Sequence, residues 1–319
     1  MLTMKPIIVP MALLLGAASL SAQSVLPEPP ADSILRIATW NIRNFRSTET
    51  DEDRVAQVLL GLDADLLAVQ EIRDTSEFRD LLDRVNDATT IAAPPYGRRT
   101  RRYMVEYSSG GGAASQFLGF VFDASAVELS NIESLTSLQM SSDLRPSLAA
   151  RVRSLRGSLD FLAIANHTDS GIGLTDYTHR QAFLDALEVV LADRGTDDTD
   201  LVILGDLNTM GHDEQEGERA VTAEEELMLL DERIAQFGLR RLPADPPCSE
   251  YYQRHGGLLD HVLVAVSMRE VPPYATARIF GYCRLLSCLP YATGEEPFDY
   301  RHASDHCPVV VDLLDRDWD

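Results

Sequence analysis

Positive charge is scarce in this chain. Its 28 lysines and arginines face 50 aspartates and glutamates, which leaves a formal net charge of −22 at pH 7. Because a field of that sign repels polyanions, the composition excludes a protein that coats nucleic acid through its overall charge. An enzyme that meets phosphate groups through a local basic patch and metal ions is still compatible with it.

Long apolar runs are also scarce, and the one that stands out is N-terminal. Lys5 and the apolar residues 7–15 precede small residues that end at Ala22, a pattern typical of a secretory signal peptide. The run is too short for a membrane span, which needs about 20 residues. We therefore expect a signal peptide at residues 1–22, with an uncleaved membrane anchor as the alternative. The mature protein is then secreted or periplasmic, without stable membrane association.

Cysteine is rare and is confined to the last quarter of the chain, at Cys248, Cys283, Cys288 and Cys307. An even number in an exported protein predicts two disulfides, and three pairings are open. No CxxC pair is present, which makes a zinc site the weaker interpretation.

The remaining chain shows no internal repeat and no long low-complexity linker. Residues 23–33 read as an extended leader, and residues 34–319 are enough for one large domain. Two domains are the alternative, but no linker divides them.

Strand-like and helical segments alternate along that domain. Many of the strand-like runs are apolar on both faces, so both faces of their sheets should be covered. This favours two packed sheets with helices outside both. The predicted strands are 34–40, 66–69, 117–122, 148–152, 159–165, 201–204, 258–266 and 309–313, and the predicted helices are 52–60, 177–192 and 223–237.

Polar residues recur where the apolar runs end. Any one of them could be an ordinary turn former, but so many in one chain predict an enzyme. They are Asn41, Glu71, His167, Asp206, Asn208, Asp260, Asp305 and His306.

These residue types suit the hydrolysis of a phosphodiester, which needs neutralised phosphoryl oxygens, an activated water and a stabilised leaving oxygen. Glu71 offers the oxygen ligand that Mg²⁺ prefers, and Arg73 suits phosphate. Asp206 and Asn208 are two apart, so in an extended segment both would point to one side and hold water and phosphate. An Asx turn is the alternative.

The histidines supply acid–base chemistry. Asp260 would orient His306 and raise its pKa, making it a general base or a cationic phosphate ligand. His167 would be a second imidazole that contacts phosphate or protonates the leaving group, although a structural histidine is the usual alternative.

Seven markers in order give the chain a family resemblance across residues 34–313. They are Thr39-Trp40-Asn41-Ile42, Val69-Gln70-Glu71-Ile72-Arg73, Arg145-Pro146, Asn166-His167, Gly205-Asp206-Leu207-Asn208, Leu259-Asp260 and Ser304-Asp305-His306-Cys307-Pro308. The chain resembles the endonuclease/exonuclease/phosphatase superfamily, in particular its DNase I-like branch.

The resemblance implies an α/β fold, a four-layer α/β/β/α sandwich of two mixed sheets flanked by helices, with residues 34–319 as the catalytic domain. It implies Mg²⁺, with Mn²⁺ as a substitute and Ca²⁺ as a structural ion. Metal binding falls to Glu71, assisted by Asn41 and Asp305. The water and oxyanion roles fall to Asp206 and Asn208, acid–base and phosphate work to His306, Asp260 and His167, and phosphate binding to Arg73 and Arg145.

One position departs from the family pattern. Where related nucleases pair the histidine matching His167 with a glutamate, this chain has Gln116. Either Glu106 substitutes, or His167 serves as a neutral contact, because an amide stabilises an imidazolium less than a carboxylate does.

The substrate prediction rests on a basic cluster between two tyrosines. Arg98, Arg99, Arg101 and Arg102 precede the run 117–122, where related nucleases carry a loop that enters the DNA minor groove. A solvated loop is the alternative. We expect a monomeric endonuclease that prefers DNA to RNA. A sphingomyelinase-like enzyme, another small-phosphodiester or phosphomonoester hydrolase, and an inactive binding module are the alternatives.

Overall fold

The computed structural model describes residues 34–91, 100–193, 200–215 and 217–318. The predicted signal peptide and leader, and two residues of the basic cluster, Arg98 and Arg99, lie outside this range. The strands are β1 Ile34–Phe45, β2 Leu66–Ile72, β3 Tyr103–Tyr107, β4 Phe117–Asp123, β5 Val127–Leu135, β6 Ser147–Ser154, β7 Asp160–His167, β8 Leu201–Asp206, β9 Leu239–Arg241, β10 Ala244–Asp245, β11 Glu250–Tyr252, β12 His255–Gly257, β13 Asp260–Ala265, β14 Ala277–Ile279 and β15 Val309–Leu314. The α-helices are α1 Glu52–Leu62, α2 Thr75–Ile91, α3 Leu174–Asp193, α4 Ala223–Gln236, α5 Tyr282–Leu286 and α6 Phe298–His302.

Two large mixed sheets form the centre of the molecule. The first has seven strands in the order β10-β14-β15-β1-β2-β4-β3, and the second has six in the order β5-β6-β7-β8-β13-β9. Strand β1 runs parallel to β2 and antiparallel to β15, while β7 runs parallel to β8 and β8 antiparallel to β13. A separate hairpin joins β11 to β12. The predicted fold class, two packed mixed sheets flanked by helices, is confirmed.

Alternating side chains of the first sheet belong to two different cores. Ile37 of β1 lies in the core shared with the second sheet, where it joins residues such as Ile164 and Ile203. Its neighbour Ala38 lies in the outer core, with Val55 of α1. Successive side chains of a strand point to opposite faces of the sheet, and both faces of this sheet are covered. Each fully buried aliphatic side chain contributes roughly 1.5–3 kcal/mol through removal from water.

The helices begin where polar side chains satisfy their free backbone amides. Asp51 caps α1 by accepting the Arg54 amide at 3.1 Å, and Asp63, the residue that follows α1, has the left-handed conformation with φ of 50°. Thr222 and Glu225 form a reciprocal capping box at the start of α4. Such caps contribute about 1 kcal/mol each and fix the ends of the elements.

All eight predicted strands and all three predicted helices are present, with ends shifted by a few residues. The sequence interpretation missed the helices α2, α5 and α6, the shorter strands and β5. Strand β5 has nine residues, but it is mostly polar and exposed, so no apolar run marks it. Helix α2 buries Phe78, Leu81, Leu82 and Val85, which follow the helical repeat but are interrupted by charged residues. The short strands carry too few residues for an alternating pattern to be recognisable.

The four cysteines pair as Cys248–Cys288 and Cys283–Cys307, with Cα atoms 5.7 and 6.2 Å apart. Two disulfides were expected, and the tertiary structure selects one of the three pairings. Across the described part of the chain, no helix combines the length and the apolar character needed to cross a bilayer.

Candidate active site

The strand ends that carry the predicted site residues meet at one edge of the two sheets. In the first sheet, Asn41 of β1 is in register with Gln70 of β2, directly before Glu71. In the second sheet, Asp206 of β8 is in register with both His167 of β7 and Asp260 of β13. Because the two sheets pack face to face, these ends form one polar cluster.

The side-chain amide of Asn41 connects the two sheets. Its Nδ2 donates to Glu71 Oε1 at 3.1 Å and to Asp206 Oδ2 at 3.0 Å, so one buried amide lies between two carboxylates. Glu71 is held in turn by the backbone amide of Asn44, which donates to Oε2 at 2.8 Å. Glu71 has a φ of 63°, in the left-handed region. That conformation is uncommon for a side chain other than glycine and is typical of functional sites.

Asp206 and Asn208 do not form an extended pair. Strand β8 ends at Asp206, Asn208 is left-handed with φ of 47°, and its backbone amide donates to Asp206 Oδ1 at 3.0 Å. The geometry is that of the Asx-turn alternative, so the expectation of an extended segment is corrected. The turn directs Asp206 Oδ2 toward Asn41, while Asn208 Nδ2 donates to the Thr168 carbonyl at 3.2 Å. Burial raises the pKa of Asp206 to about 7, although the charge of His306 opposes this.

His306 and Asp260 form the predicted pair. His306 Nδ1 lies 2.8 Å from Asp260 Oδ2, and its Nε2 lies 3.7 Å from Asp206 Oδ2. Burial alone would lower the pKa of His306, but the carboxylates of Asp260 and Asp206 outweigh it and hold that pKa well above its usual value. The two carboxylates therefore favour the protonated form of the imidazole.

Ser249 is a residue of this site that the sequence did not reveal. It is fully buried, and its hydroxyl donates to Asp260 Oδ2 at 2.8 Å while accepting the backbone amides of Leu259 and Asp260. Ser249 therefore fixes the carboxylate that orients His306. Serine in a loop of this chain carries no recognisable signal.

His167 lies on the opposite side of Asp206. Its Nε2 is 3.5 Å from Asp206 Oδ2 and 3.7 Å from Glu71 Oε1, distances too long for good hydrogen bonds. Its Nδ1 has no hydrogen-bond partner within the described ranges. Burial lowers the pKa of His167 well below its usual value, and the charges of Arg145 and His306 lower it further.

Neither Gln116 nor Glu106 pairs with His167. Gln116 donates to the Asn44 side chain at 2.8 Å, and Asn44 in turn holds Glu71. Glu106 is half-buried on β3 and makes no ion pair with His167. Of the two alternatives raised by the sequence, the structure favours a neutral His167.

The two predicted phosphate-binding arginines differ in their surroundings. Arg145 is buried and donates to the Thr168 carbonyl at 3.2 Å, while its Nε finds no partner among the residues described. Burial lowers the pKa of Arg145, although Glu71 and Asp206 oppose this. Arg73 is exposed directly after β2.

The basic cluster is only in part a surface feature. Arg101 is 6% exposed and forms ion pairs with Asp63, Asp65 and Asp123, the first at 2.7 Å and the last at 2.9 Å. Its guanidinium is therefore engaged inside the protein, and the prediction that Arg101 binds substrate phosphate is wrong. Arg102 is exposed. Both arginines lie directly before β3, and the ion pairs with the three aspartates hold only Arg101 inside the protein.

Glu250 is a further acidic residue that the sequence interpretation missed. It is buried, and its backbone forms an isolated bridge with that of His306. Burial raises the pKa of Glu250 to about 8; the charge of His306 opposes this shift and the carboxylate of Asp305 reinforces it. Glu250 belongs to no recognisable motif, and only the fold brings it to the site.

The residues fit a divalent cation that prefers oxygen ligands. Glu71 and Asp206 converge on one amide, and the Ser304 hydroxyl donates to the Asn41 carbonyl at 2.7 Å and lies 3.4 Å from Asp305 Oδ1. A carboxylate-rich, half-buried cluster of this kind suits Mg²⁺. Within the described residues, a second group, Asp206, Asp260 and His306, has ligand atoms within 4.8 Å of one another. The predicted ligands Glu71 and Asp305 lie outside that group.

The sequence between residues 38 and 306 matches the family described as "Endonuclease/Exonuclease/phosphatase family". The chain belongs to this family. The match contains the residues of the polar cluster from Asn41 to His306, so the family assignment and the geometry concern the same part of the molecule. The comparison with curated proteins finds no match.

Solved structures of the same fold cover most of the chain. The 3′-5′ exonuclease NExo from Neisseria meningitidis is 18% identical, with a TM-score of 0.57 over 89% of this chain and 100% of its own. The TDP2 of D. rerio complexed with a single-strand DNA product is 16% identical, with a TM-score of 0.54 over 88% and 99%. A mannosyl-6-phosphatase of Bacteroides thetaiotaomicron is 15% identical, with a TM-score of 0.53 over 88% and 99%. At these identities the likeness shows the fold alone.

Proposed function

We propose that this protein is an exported, divalent-metal-dependent phosphodiesterase that hydrolyses DNA internally. The observation that carries the proposal is the convergence of the His306–Asp260 pair, Asp206, His167 and the Asn41–Glu71 contact at one sheet edge. Phosphodiester hydrolysis needs these elements together: a charge sink for the phosphoryl oxygens, a held water and groups that move protons.

In this proposal, Glu71 holds the cation, with Asn41 and Asp305 beside it. A bound Mg²⁺ would neutralise the charge that develops on the phosphoryl oxygens. Mn²⁺ would substitute for it, because both ions accept carboxylate ligands.

The protein side chains then divide the remaining work. Asp206 and Asn208 position the attacking water and a phosphoryl oxygen, at the turn that follows β8. Of the two roles that the sequence left open for His306, the raised pKa favours the cationic phosphate ligand. His167, held neutral, acts as a contact to phosphate. Arg145 brings a guanidinium with an unused Nε to the same cluster, which suits a phosphate oxygen.

Two observations support DNA as the substrate and export as the setting. A structure of the same fold contains a single-strand DNA product, that of TDP2 from D. rerio. The two disulfides suit an oxidising compartment, outside the cell or in the periplasm. We take residues 34–319 as a single catalytic domain that acts as a monomer.

The test is cleavage of supercoiled plasmid by the purified protein, with Mg²⁺ and with EDTA, beside the His306→Ala variant. Nicking that requires Mg²⁺ and is lost in the variant is the expected result. Nicking that persists in EDTA, or that the variant retains, would contradict the proposed mechanism.

Assays of the same protein with other substrates distinguish the alternative functions. A protein that leaves plasmid intact but hydrolyses bis-nitrophenyl phosphate would be a phosphodiesterase for lipids or small molecules. Release of phosphocholine from sphingomyelin micelles would identify the sphingomyelinase-like alternative. Release of phosphate from sugar phosphates would identify a phosphomonoesterase, the activity named for the Bacteroides relative. Inactivity on all of them, with stoichiometric binding, would indicate an inactive module.

A further inference from the structure

The hairpin formed by β11 and β12 emerges directly beside the catalytic histidine. Its two central turn residues, Gln253 and Arg254, have φ of 48° and 74°, as in a type I′ turn. Across the hairpin, Tyr252 is paired with His255, and Glu250 is paired with Gly257. The backbone of Glu250 also bridges that of His306.

The two faces of this hairpin are distinguished by Tyr251. That side chain points into the protein, where its ring packs at 5.8 Å from Tyr282 and its hydroxyl donates to the Leu289 carbonyl at 3.0 Å. Successive side chains of a strand point to opposite faces. Glu250 and Tyr252 therefore share the other face. Glu250 and His306 are directly opposite each other in an antiparallel bridge, so their side chains point to the same side, and this face of the hairpin is the one directed toward the site.

An exposed aromatic pair occupies the outer part of this face. Tyr252 is 63% exposed, and His255, directly opposite it, is also exposed. Gly256 and Gly257 leave the adjoining strand free of bulky side chains. Aromatic rings are usually buried, because they remove much apolar surface from water. Two of them at paired positions of an exposed hairpin therefore indicate a surface that a ligand covers.

The base of the hairpin is rigid. Cys248, two residues before β11, is bonded to Cys288, and the ring of Tyr251 also packs 5.7 Å from that of Tyr291. At its tip, Arg254 donates to the Thr293 hydroxyl at 2.9 Å. The aromatic pair is thus held in a fixed position relative to His306, as a platform for a substrate must be.

We propose that Tyr252 and His255 form a stacking platform for an unpaired nucleobase adjacent to the scissile phosphate. This inference rests on the proposed function and narrows the substrate to single-stranded or locally unpaired DNA. The faces of all four bases stack on aromatic rings, so the platform selects for the presence of a base rather than for its sequence. The adjacent carboxylate cluster would hold a cation, and that cation and His306 would bind the phosphate.

The experiment compares a single strand of mixed sequence with an abasic strand of the same length. Binding of each is measured by fluorescence anisotropy in EDTA, and cleavage is measured in Mg²⁺, with the full chain. The variants are Tyr252→Ala combined with His255→Ala, and Tyr252→Phe as the conservative change. Tyr274→Ala is the matched control, since Tyr274 is 81% exposed in the loop before β14.

The native protein should bind the base-bearing strand about tenfold more tightly than the abasic strand. The double variant should lose that preference through a higher KM with little change in kcat, while Tyr252→Phe and Tyr274→Ala retain it. An unchanged preference in the double variant, or no binding of either strand by the native protein, would overturn the platform. Preferential binding without cleavage would support the platform and overturn the proposed nuclease activity alone.

Discussion

Replacing Arg101 with methionine is expected to destabilise the fold and to leave the chemistry of the folded protein unchanged. Arg101 connects three carboxylates, those of Asp63, Asp65 and Asp123, in a setting where its own side chain is 6% exposed. Methionine fills a similar volume but supplies no charge and no donors.

The loss of folding free energy depends on which partners the aspartates keep once Arg101 is replaced. Asp65 retains Arg156, whose guanidinium lies 2.6 Å away. Asp123 retains the Ser125 hydroxyl at 2.7 Å but loses the guanidinium of Arg101. Removing one partner of a buried ion pair typically costs about 3–5 kcal/mol, and we expect this range. At about 2–4 °C per kcal/mol for a chain of this size, Tm should fall by roughly 6–20 °C.

The assay pairs calorimetric or urea-induced unfolding with the salt dependence of DNA cleavage. Arg102→Met is the matched control, because Arg102 is exposed and most surface substitutions change stability by about 0.5 kcal/mol or less. A stable Arg101→Met protein with a flattened salt dependence would refute the reasoning, because it would mean that Arg101 contacts phosphate. A flattened salt dependence in Arg102→Met alone would leave the exposed half of the cluster as the DNA contact.

Three further perturbations test the site and its support. Glu71→Gln should raise the Mg²⁺ concentration for half-maximal activity at least tenfold. Even the loss of a residue that only supports a metal ligand typically lowers metal affinity or activity by about 10–100-fold. An unchanged Mg²⁺ titration would remove Glu71 from the metal site. Ser249→Ala should lower kcat roughly tenfold with KM unchanged, and it should shift the pH profile of activity because Asp260 loses the hydrogen bond from Ser249. Ser249→Thr keeps the hydroxyl and should restore both kcat and the pH profile. An equal loss of kcat in the two variants would indicate a packing defect instead. Burial lowers the pKa of His261 to about 3, whereas an unfolded imidazole titrates near 6.5, so acid favours the unfolded chain. Stability should therefore fall between pH 6.5 and 4.5 by about 2–3 kcal/mol. His261→Leu should reduce that loss in urea unfolding, and an identical pH dependence in the variant would show that His261 is not its source.

Much of the fold was accessible from the sequence because its strongest pattern is local. Strands such as β7 and β8 are nearly continuous apolar runs, which only a sheet covered on both faces accommodates. The polar residues that end these runs stand out against them. This is why Asn41, Glu71 and Asp206 could be placed in one site before their contacts were known.

The features that the sequence missed lack such a pattern. Helix α2 interrupts its apolar repeat with charge, and β11 and β12 have three residues each. Glu250 and Ser249 belong to no spacing that identifies them, and the disulfide pairing was one of three. The exposed pair Tyr252–His255 arises from the register of a hairpin, which single residues do not reveal.

The sequence by itself determined the layering of the sheets and the residue types of the candidate site. Both can be read from short segments, because an apolar run marks a buried strand and a polar residue marks the point where it ends. Only the tertiary structure decided which charges are paired inside the fold and which face water. Arg101 and Arg102 are adjacent and chemically identical, yet one is enclosed by three carboxylates and the other faces water. The reason is physical: the role of a charge depends on the partners that distant parts of the chain bring within a few ångströms of it, and on how much water they exclude.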